Sequence, residues 1–281
     1  MTTITAAMVK ELREITSGAM MDCKKALTEC DGDMEAAKEY LRKKGQASAD
    51  KKSSRETTEG SISVATTPGK AALIKIACET DFVAINDDFQ AFIAGLCVQA
   101  METGVENFTE QTSSKGAIKV QFTEAIAKMG ENMSFAEGAS WDIAENAVVG
   151  AYTHAKGKIG VLLELTADKA VDTDKATALA KDVAMHIAAC HVEAISSDDL
   201  DPAAIEKERT FLIDQAKESG KPDNIIEKMV EGRIQKFKKE ICLLDQSFVK
   251  EPDKSIAKLL EEQGKALGVG FKVTRFFKSN F

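Results

Sequence analysis

Several motifs that would mark an enzyme or a nucleotide-binding protein are missing from this sequence. There is no Gly-x-x-x-x-Gly-Lys-Ser/Thr, and no Gly-x-Gly-x-x-Gly follows a strand pattern, so no phosphate cradle is encoded. No Gly-x-Ser-x-Gly elbow occurs either. The only histidines are His154, His186 and His191, each in a different context, which is not a triad. His186 lies one helical turn after Asp182, a spacing open to a metal, but the sequence places no third ligand. The tightly packed context Val183 to Ala188 favours a structural or interface histidine there. No cofactor and no metal are expected.

The six cysteines, Cys23, Cys30, Cys78, Cys97, Cys190 and Cys242, include no Cys-x-x-Cys pair. That excludes the usual zinc and small-disulfide scaffolds and reads as reduced core thiols of an intracellular protein. No apolar run approaches the ~20 residues that span a membrane. Residues 1–13 carry Lys10, Glu11 and Arg13 and resemble neither a signal peptide nor a transit sequence. A soluble, cytoplasmic protein is the expectation. Basic residues number 37 against 45 acidic, a formal net charge of -8, which suits nucleic acid poorly and a protein partner well. Lys236-Phe237-Lys238-Lys239 is flanked by Glu231 and Glu240 and reads as a solvated helix face, not an RNA patch.

What is present falls into modules, as 281 residues with 44% hydrophobic content allow. Residues 1–45 read as three short helices. Thr5 caps the first, which carries Val9 and Leu12, and Ser17-Gly18 breaks it. The second buries Cys23, Ala26, Leu27 and Cys30, and the third places Met34, Ala37 and Leu41 on one side and stops near Gly45. Residues 46–60 are polar and without periodicity, the pattern of a mobile linker, with a helical start left open.

From Gly60 the period becomes two. Strands at 61–65 and 71–77 flank a Thr67-Pro68-Gly69-Lys70 turn, and a helix follows over 88–101. A further helix is predicted over 116–128 and a short strand over 133–135. The hairpin-then-helix pattern recurs, with strands at 148–153 and 159–165 around His154-Ala155-Lys156-Gly157-Lys158, then a helix over 174–189. Two related α+β halves sharing a core are expected, 61–146 and then 147–200 with 245–281. Residues 201–244 read as an antiparallel helical hairpin that turns at Ser219-Gly220-Lys221-Pro222. A closing helix over 255–265 and strand over 269–277 complete the chain.

The run Leu12-Arg13-Glu14-Ile15-Thr16-Ser17-Gly18-Ala19-Met20-Met21-Asp22-Cys23-Lys24-Lys25-Ala26-Leu27 resembles the N-terminal signature of the bacterial elongation factor Ts family. Glu79-Thr80-Asp81-Phe82-Val83-Ala84 is similar to that family's exchange motif. His186 to Ala189, Ser219 to Pro222, Glu227 to Arg233 and Phe248 to Pro252 follow in family order. The resemblance implies a ubiquitin-associated-like (UBA-like) three-helix domain, a linker, a two-half α+β core with antiparallel hairpins and a protruding antiparallel coiled-coil arm. Longer members of the family continue into a further helix, a contact not expected for a sequence ending Ser279-Asn280-Phe281.

It also implies a non-enzymatic guanine nucleotide exchange factor that binds the GTPase elongation factor Tu and releases its GDP by disturbing the magnesium and phosphate site. Phe82 matches the aromatic side chain that enters a gap in the partner's GTPase domain, with Thr80, Asp81 and Val83 around it. Arg13, Met20, Met21 and His154 match other partner-binding positions, although at least one methionine is expected to pack inside the helical domain. No direct nucleic-acid or membrane partner is implied. The complex could be one-to-one or a dimer of heterodimers. Two other readings stand beside this one: an adaptor whose residues 1–55 bind ubiquitin-like or nascent chains, and a metal hydrolase built on Asp182 and His186.

Overall fold

The computed structural model of the chain describes residues 2–16, 18–217 and 222–281. Ser17 of the expected helix break and residues 219–221 of the expected turn lie outside the described residues. The fold is α+β and divides into two compact units. The first comprises the chain up to Trp141 together with His154–Gly160 and Ser279–Phe281, and the second comprises Asp142–Thr153 and Val161–Lys278.

The first unit opens with three helices. In α1 (Ala6–Thr16) the Thr5 hydroxyl accepts from Met8 N at 3.3 Å, while Val9 and Leu12 are buried. The α2 helix (Met20–Glu29) buries Cys23, Ala26 and Leu27. It gives way to Asp31 and Gly32, both at positive φ, before Asp33 caps α3 (Met34–Lys52) through a 3.0 Å bond from Ala36 N. Their shared core is Val9, Leu12, Cys23, Ala26, Leu27 and Ala37.

The α3 helix does not stop near Gly45 but runs through Lys52, across half of the segment expected to be a linker. The reason is a narrow stripe of small residues. Gly45 and Ala49, four apart, are buried on one side of an otherwise polar helix. Ala49 joins the core of the following sheet and helices, so tertiary packing supports a helix that periodicity alone does not signal.

Strands β1 (Glu59–Thr67) and β2 (Lys70–Cys78) pair antiparallel in continuous register, from Glu59 opposite Cys78 to Thr67 opposite Lys70. Pro68 and Gly69 make the turn, and Gly69 takes the positive φ (87°) that the second turn position requires. After β2 come a single turn α4 (Asp81–Ala84), α5 (Asp87–Thr103) and a small pair β3 (Thr112–Ser113) and β4 (Gly116–Ala117). Then follow α6 (Ile118–Met129) and β5 (Met133–Asp142). The last runs ten residues where three were expected and completes a sheet of order β1-β2-β5. Helices α5 and α6 cover the sheet with Phe89, Ile93, Leu96, Ile118 and Phe122.

The second unit repeats the pattern with β6 (Ala147–His154), β7 (Ile159–Ala167) and α7 (Thr173–Ala189). The α8 helix (Pro202–Lys217) and α9 (Asp223–Ile241) form the helical hairpin, packed through Leu212, Ala216, Ile226, Val230 and Ile234. A short pair β8 (Ser247–Phe248) and β9 (Glu251–Ser255), α10 (Ile256–Leu267) and β10 (Phe271–Asn280) end the chain. The second sheet has the order β10-β7-β6.

Candidate functional site

Leaving β2 at Cys78, the chain makes a sharp, hydrogen-bonded turn. Thr80 is extended (φ -127°, ψ 153°), and its hydroxyl accepts from Val83 N at 3.3 Å, capping α4. Ala84 N and Ile85 N donate back to the Thr80 and Asp81 carbonyls, each at 3.1 Å. Gln90 Nε2 donates to the Ala84 carbonyl at 2.6 Å, and Asn86 caps α5 through Asp88 N at 2.8 Å. The turn is thus fastened at both ends.

This fastening divides the motif residues between core and solvent. Val83 is half-buried against the first unit's core and Ala84 is buried, whereas Phe82 is 79% exposed. Ile85, three residues on, is exposed as well. Phe82 and Ile85 thus form an exposed apolar surface on this turn.

Beneath the turn sits a polar cluster that sequence reasoning missed. Glu131 Oε2 accepts from Thr80 N at 3.0 Å and Oε1 from the Thr80 hydroxyl at 2.6 Å. Next to it, Asn132 N donates to Glu79 Oε1 at 2.6 Å, and Arg55 Nη1 reaches the same oxygen at 3.3 Å. The Cys78 thiol donates to the Thr80 carbonyl at 3.2 Å. Burial first, and then the Glu131 charge, push this thiol up to about 12, so it stays protonated and remains a donor. The cluster joins positions some fifty residues apart, a pairing no local pattern signals. The one hint is Gly130, whose left-handed φ of 80° ends α6 immediately before Glu131.

The other expected positions lie on separate elements. Arg13 is exposed in the last turn of α1. Met20 and Met21 open α2 and are 57% and 72% exposed, so neither packs inside the helical module as had been expected of at least one. They begin a helix whose first turn has no side-chain cap, and Cys23, Ala26 and Leu27 fill its buried face. His154 is exposed at the β6–β7 turn. That turn is fixed by three successive positive φ values, at Ala155, Lys156 and Gly157, and by Ile62 N donating to the Gly157 carbonyl at 2.7 Å. A Cβ on Gly157 would stand 2.0 Å from Ser61 Oγ, so only glycine fits there.

The residues of the metal reading are engaged otherwise. His186 is fully buried, with Nε2 2.8 Å from Gln246 Oε1, and burial holds its pKa below the ordinary value. Gln246 in turn donates to the His191 carbonyl at 2.7 Å. Asp182 accepts from Lys250 Nζ at 2.8 Å. These are the partners of a satisfied core histidine and a surface ion pair. Among the described residues no group of three or more His, Cys, Asp or Glu could hold a metal ion, and no helix is long and apolar enough to cross a membrane.

Comparison with known proteins gives one consistent answer. Residues 79–280 match the family model described as Elongation factor TS. The chain is 43% identical to elongation factor Ts of Brucella anthropi, over 98% of this chain and 92% of that protein. It is 44% identical to elongation factor Ts of Rhodospirillum centenum, over 99% and 92%. It is 46% identical to that of Hydrogenovibrio crunogenus, over 92% and 86%.

Proposed function

The chain belongs to the elongation factor Ts family, and from that premise we propose that it is a guanine nucleotide exchange factor of translation elongation, acting on elongation factor Tu. It catalyses no chemical step. It binds the GTPase in its GDP state and weakens the nucleotide's hold, and by linkage the nucleotide weakens the factor's hold equally. The observation that carries this reading is Phe82, kept 79% exposed at the crest of a turn capped by Thr80 and closed by Gln90.

Phe82 enters a gap in the partner's GTPase domain and displaces elements that hold the magnesium ion and phosphates. These are the largest local charges in that site, so a small displacement there has a large effect on nucleotide affinity. Thr80 fixes the turn, Asp81 anchors neighbouring partner groups, and Val83 ties the turn to the core. Arg13 with Met20 and Met21, and His154 at its hairpin tip, supply separate holding contacts. Adjacent methionines in solvent suit an adaptable apolar surface. The three-helix module is the family's UBA-like domain, and α8 with α9 is its coiled-coil arm, holding the partner away from the lever. The protein works in the cytoplasm, where translation elongation takes place.

The adaptor reading of residues 1–55 fits less well, because Ala49 is buried in the same cluster as Phe122 and Ile126. The test is direct. Release of fluorescent GDP from elongation factor Tu is expected to accelerate sharply when this protein is added, and an unchanged rate would sink the proposal.

A further inference from the structure

We propose that Glu131 is a positioning residue for the exchange motif: its carboxylate holds the Thr80 cap and so sets the height and direction at which Phe82 stands. This rests on the reading of Phe82 as the lever. A helix of four residues, Asp81–Ala84, is far below the length that holds itself together in water. Its rigidity has to be supplied by its neighbours, and Glu131 is the charged one.

The geometry is bidentate. One carboxylate oxygen accepts from the Thr80 hydroxyl at 2.6 Å and the other from Thr80 N at 3.0 Å. The same hydroxyl accepts from Val83 N at 3.3 Å, so the cap is oriented by the carboxylate that receives its proton. Both side chains are half-buried, where charge-assisted bonds are screened less than at the surface.

The next residue repeats the arrangement. Asn132 N donates to Glu79 at 2.6 Å, and Asn132 Nδ2 donates to the Arg55 carbonyl at 2.9 Å. Two consecutive residues after α6 therefore hold two consecutive residues after β2.

A carboxylate suits this seat because it accepts from both Thr80 donors at once. Thr80 presents two donors to Glu131, its N–H and its hydroxyl, and the hydroxyl uses one of its two lone pairs to accept from Val83 N. Glutamine has nearly the same shape but only one acceptor oxygen, so with that oxygen on Thr80 N its amide faces the hydroxyl's remaining lone pair, the hydroxyl proton loses its acceptor and the charge-assisted bond is gone. Glu131→Gln thus perturbs the seat of α4 without opening a cavity.

The experiment measures fluorescent GDP release from elongation factor Tu over a range of concentrations of the full-length wild type, Glu131→Gln, Phe82→Ala and the double variant. Glu131→Gln is expected to lower the maximal rate about tenfold while the half-saturating concentration moves less than about twofold. The double variant is expected to be no slower than Phe82→Ala alone, because a misplaced lever and an absent one fail at the same step. Amide hydrogen exchange in the free protein gives a second measure, with Val83 and Ala84 exchanging faster in Glu131→Gln. A wild-type maximal rate for Glu131→Gln, a loss that adds in full to that of Phe82→Ala, or unchanged exchange at Val83 and Ala84 would each overturn the proposal. If Phe82→Ala itself keeps the wild-type maximal rate, the lever reading fails and this proposal fails with it.

Discussion

Truncating Phe82 to Ala separates leverage from binding. An aromatic side chain offers about 200 Å² for burial, so at 79% exposure about 160 Å² of Phe82 still faces water. Covered completely by a partner, that area is worth about 4 kcal/mol at ~25 cal/mol/Å². This is a ceiling, since Ala keeps its methyl group and part of the gain is spent ordering the partner. If half of it, about 2 kcal/mol, is expressed only in the state from which GDP departs, the maximal release rate falls about thirtyfold. If the same contact is made equally before and during release, affinity falls and the maximal rate does not. Stopped-flow release of fluorescent GDP at saturating factor tells these apart. The free protein supplies the control, because an exposed side chain outside the core is expected to change stability by no more than about 0.5 kcal/mol. A maximal rate within twofold of wild type would refute the lever. A large drop in melting temperature would refute the exposure on which the argument rests.

Three further outcomes follow from the geometry. Gly45→Ala is expected to stabilise the protein by about 0.5–1 kcal/mol in urea unfolding, because a Cβ there stands 3.5 Å from that of Ala127, ordinary contact inside a helix. Cys78 and Cys97, both pushed up to about 12 mainly by burial, are expected to resist a thiol reagent at pH 8 while the half-buried Cys30 reacts. Burial lowers the pKa of His186, so the unfolded chain binds its proton first. The stability this group contributes is complete above the ordinary value of 6.5 and is lost as pH falls below it, and His186→Gln is expected to flatten that part of the melting-temperature profile.

Much of this architecture is legible in the sequence because it is written in local periods. Val9 and Leu12 and the stripe Ile226, Val230, Ile234 each announce an element and its buried face, and the apolar runs of β1 and β2 announce the strands themselves. The failures share a physical cause. The α3 helix outruns its apolar pattern because Gly45 and Ala49 are too small to register as hydrophobic, yet small residues are what let helices approach closely. The β5 strand continues past Phe135 through half-buried and exposed residues, and its pairing with β2 extends it where its own alternation does not. The site divides in the same way. The motif at 79–84 is one contiguous run, whereas Glu131 and Asn132 meet it only when the fold brings the end of α6 to the end of β2.

The division of labour within α4 explains why a turn of helix carries the motif. A loop long enough to expose an aromatic ring freely would lose conformational entropy when the partner ordered it, and that loss would be drawn from the interaction meant to displace the nucleotide. In α4 the ordering is already done by folding. Thr80 and Glu131 hold one end, Gln90 the other, and Val83 and Ala84 rest on the core, leaving Phe82 outside. The exposed ring costs the free protein little, since an exposed aromatic in water is close to its unfolded condition. On the proposed reading, contact energy gained at Phe82 would then be available for distorting the GTPase. On this argument any substitution that loosens the seat should weaken exchange without touching the partner, and Glu131→Gln is the mildest that does so.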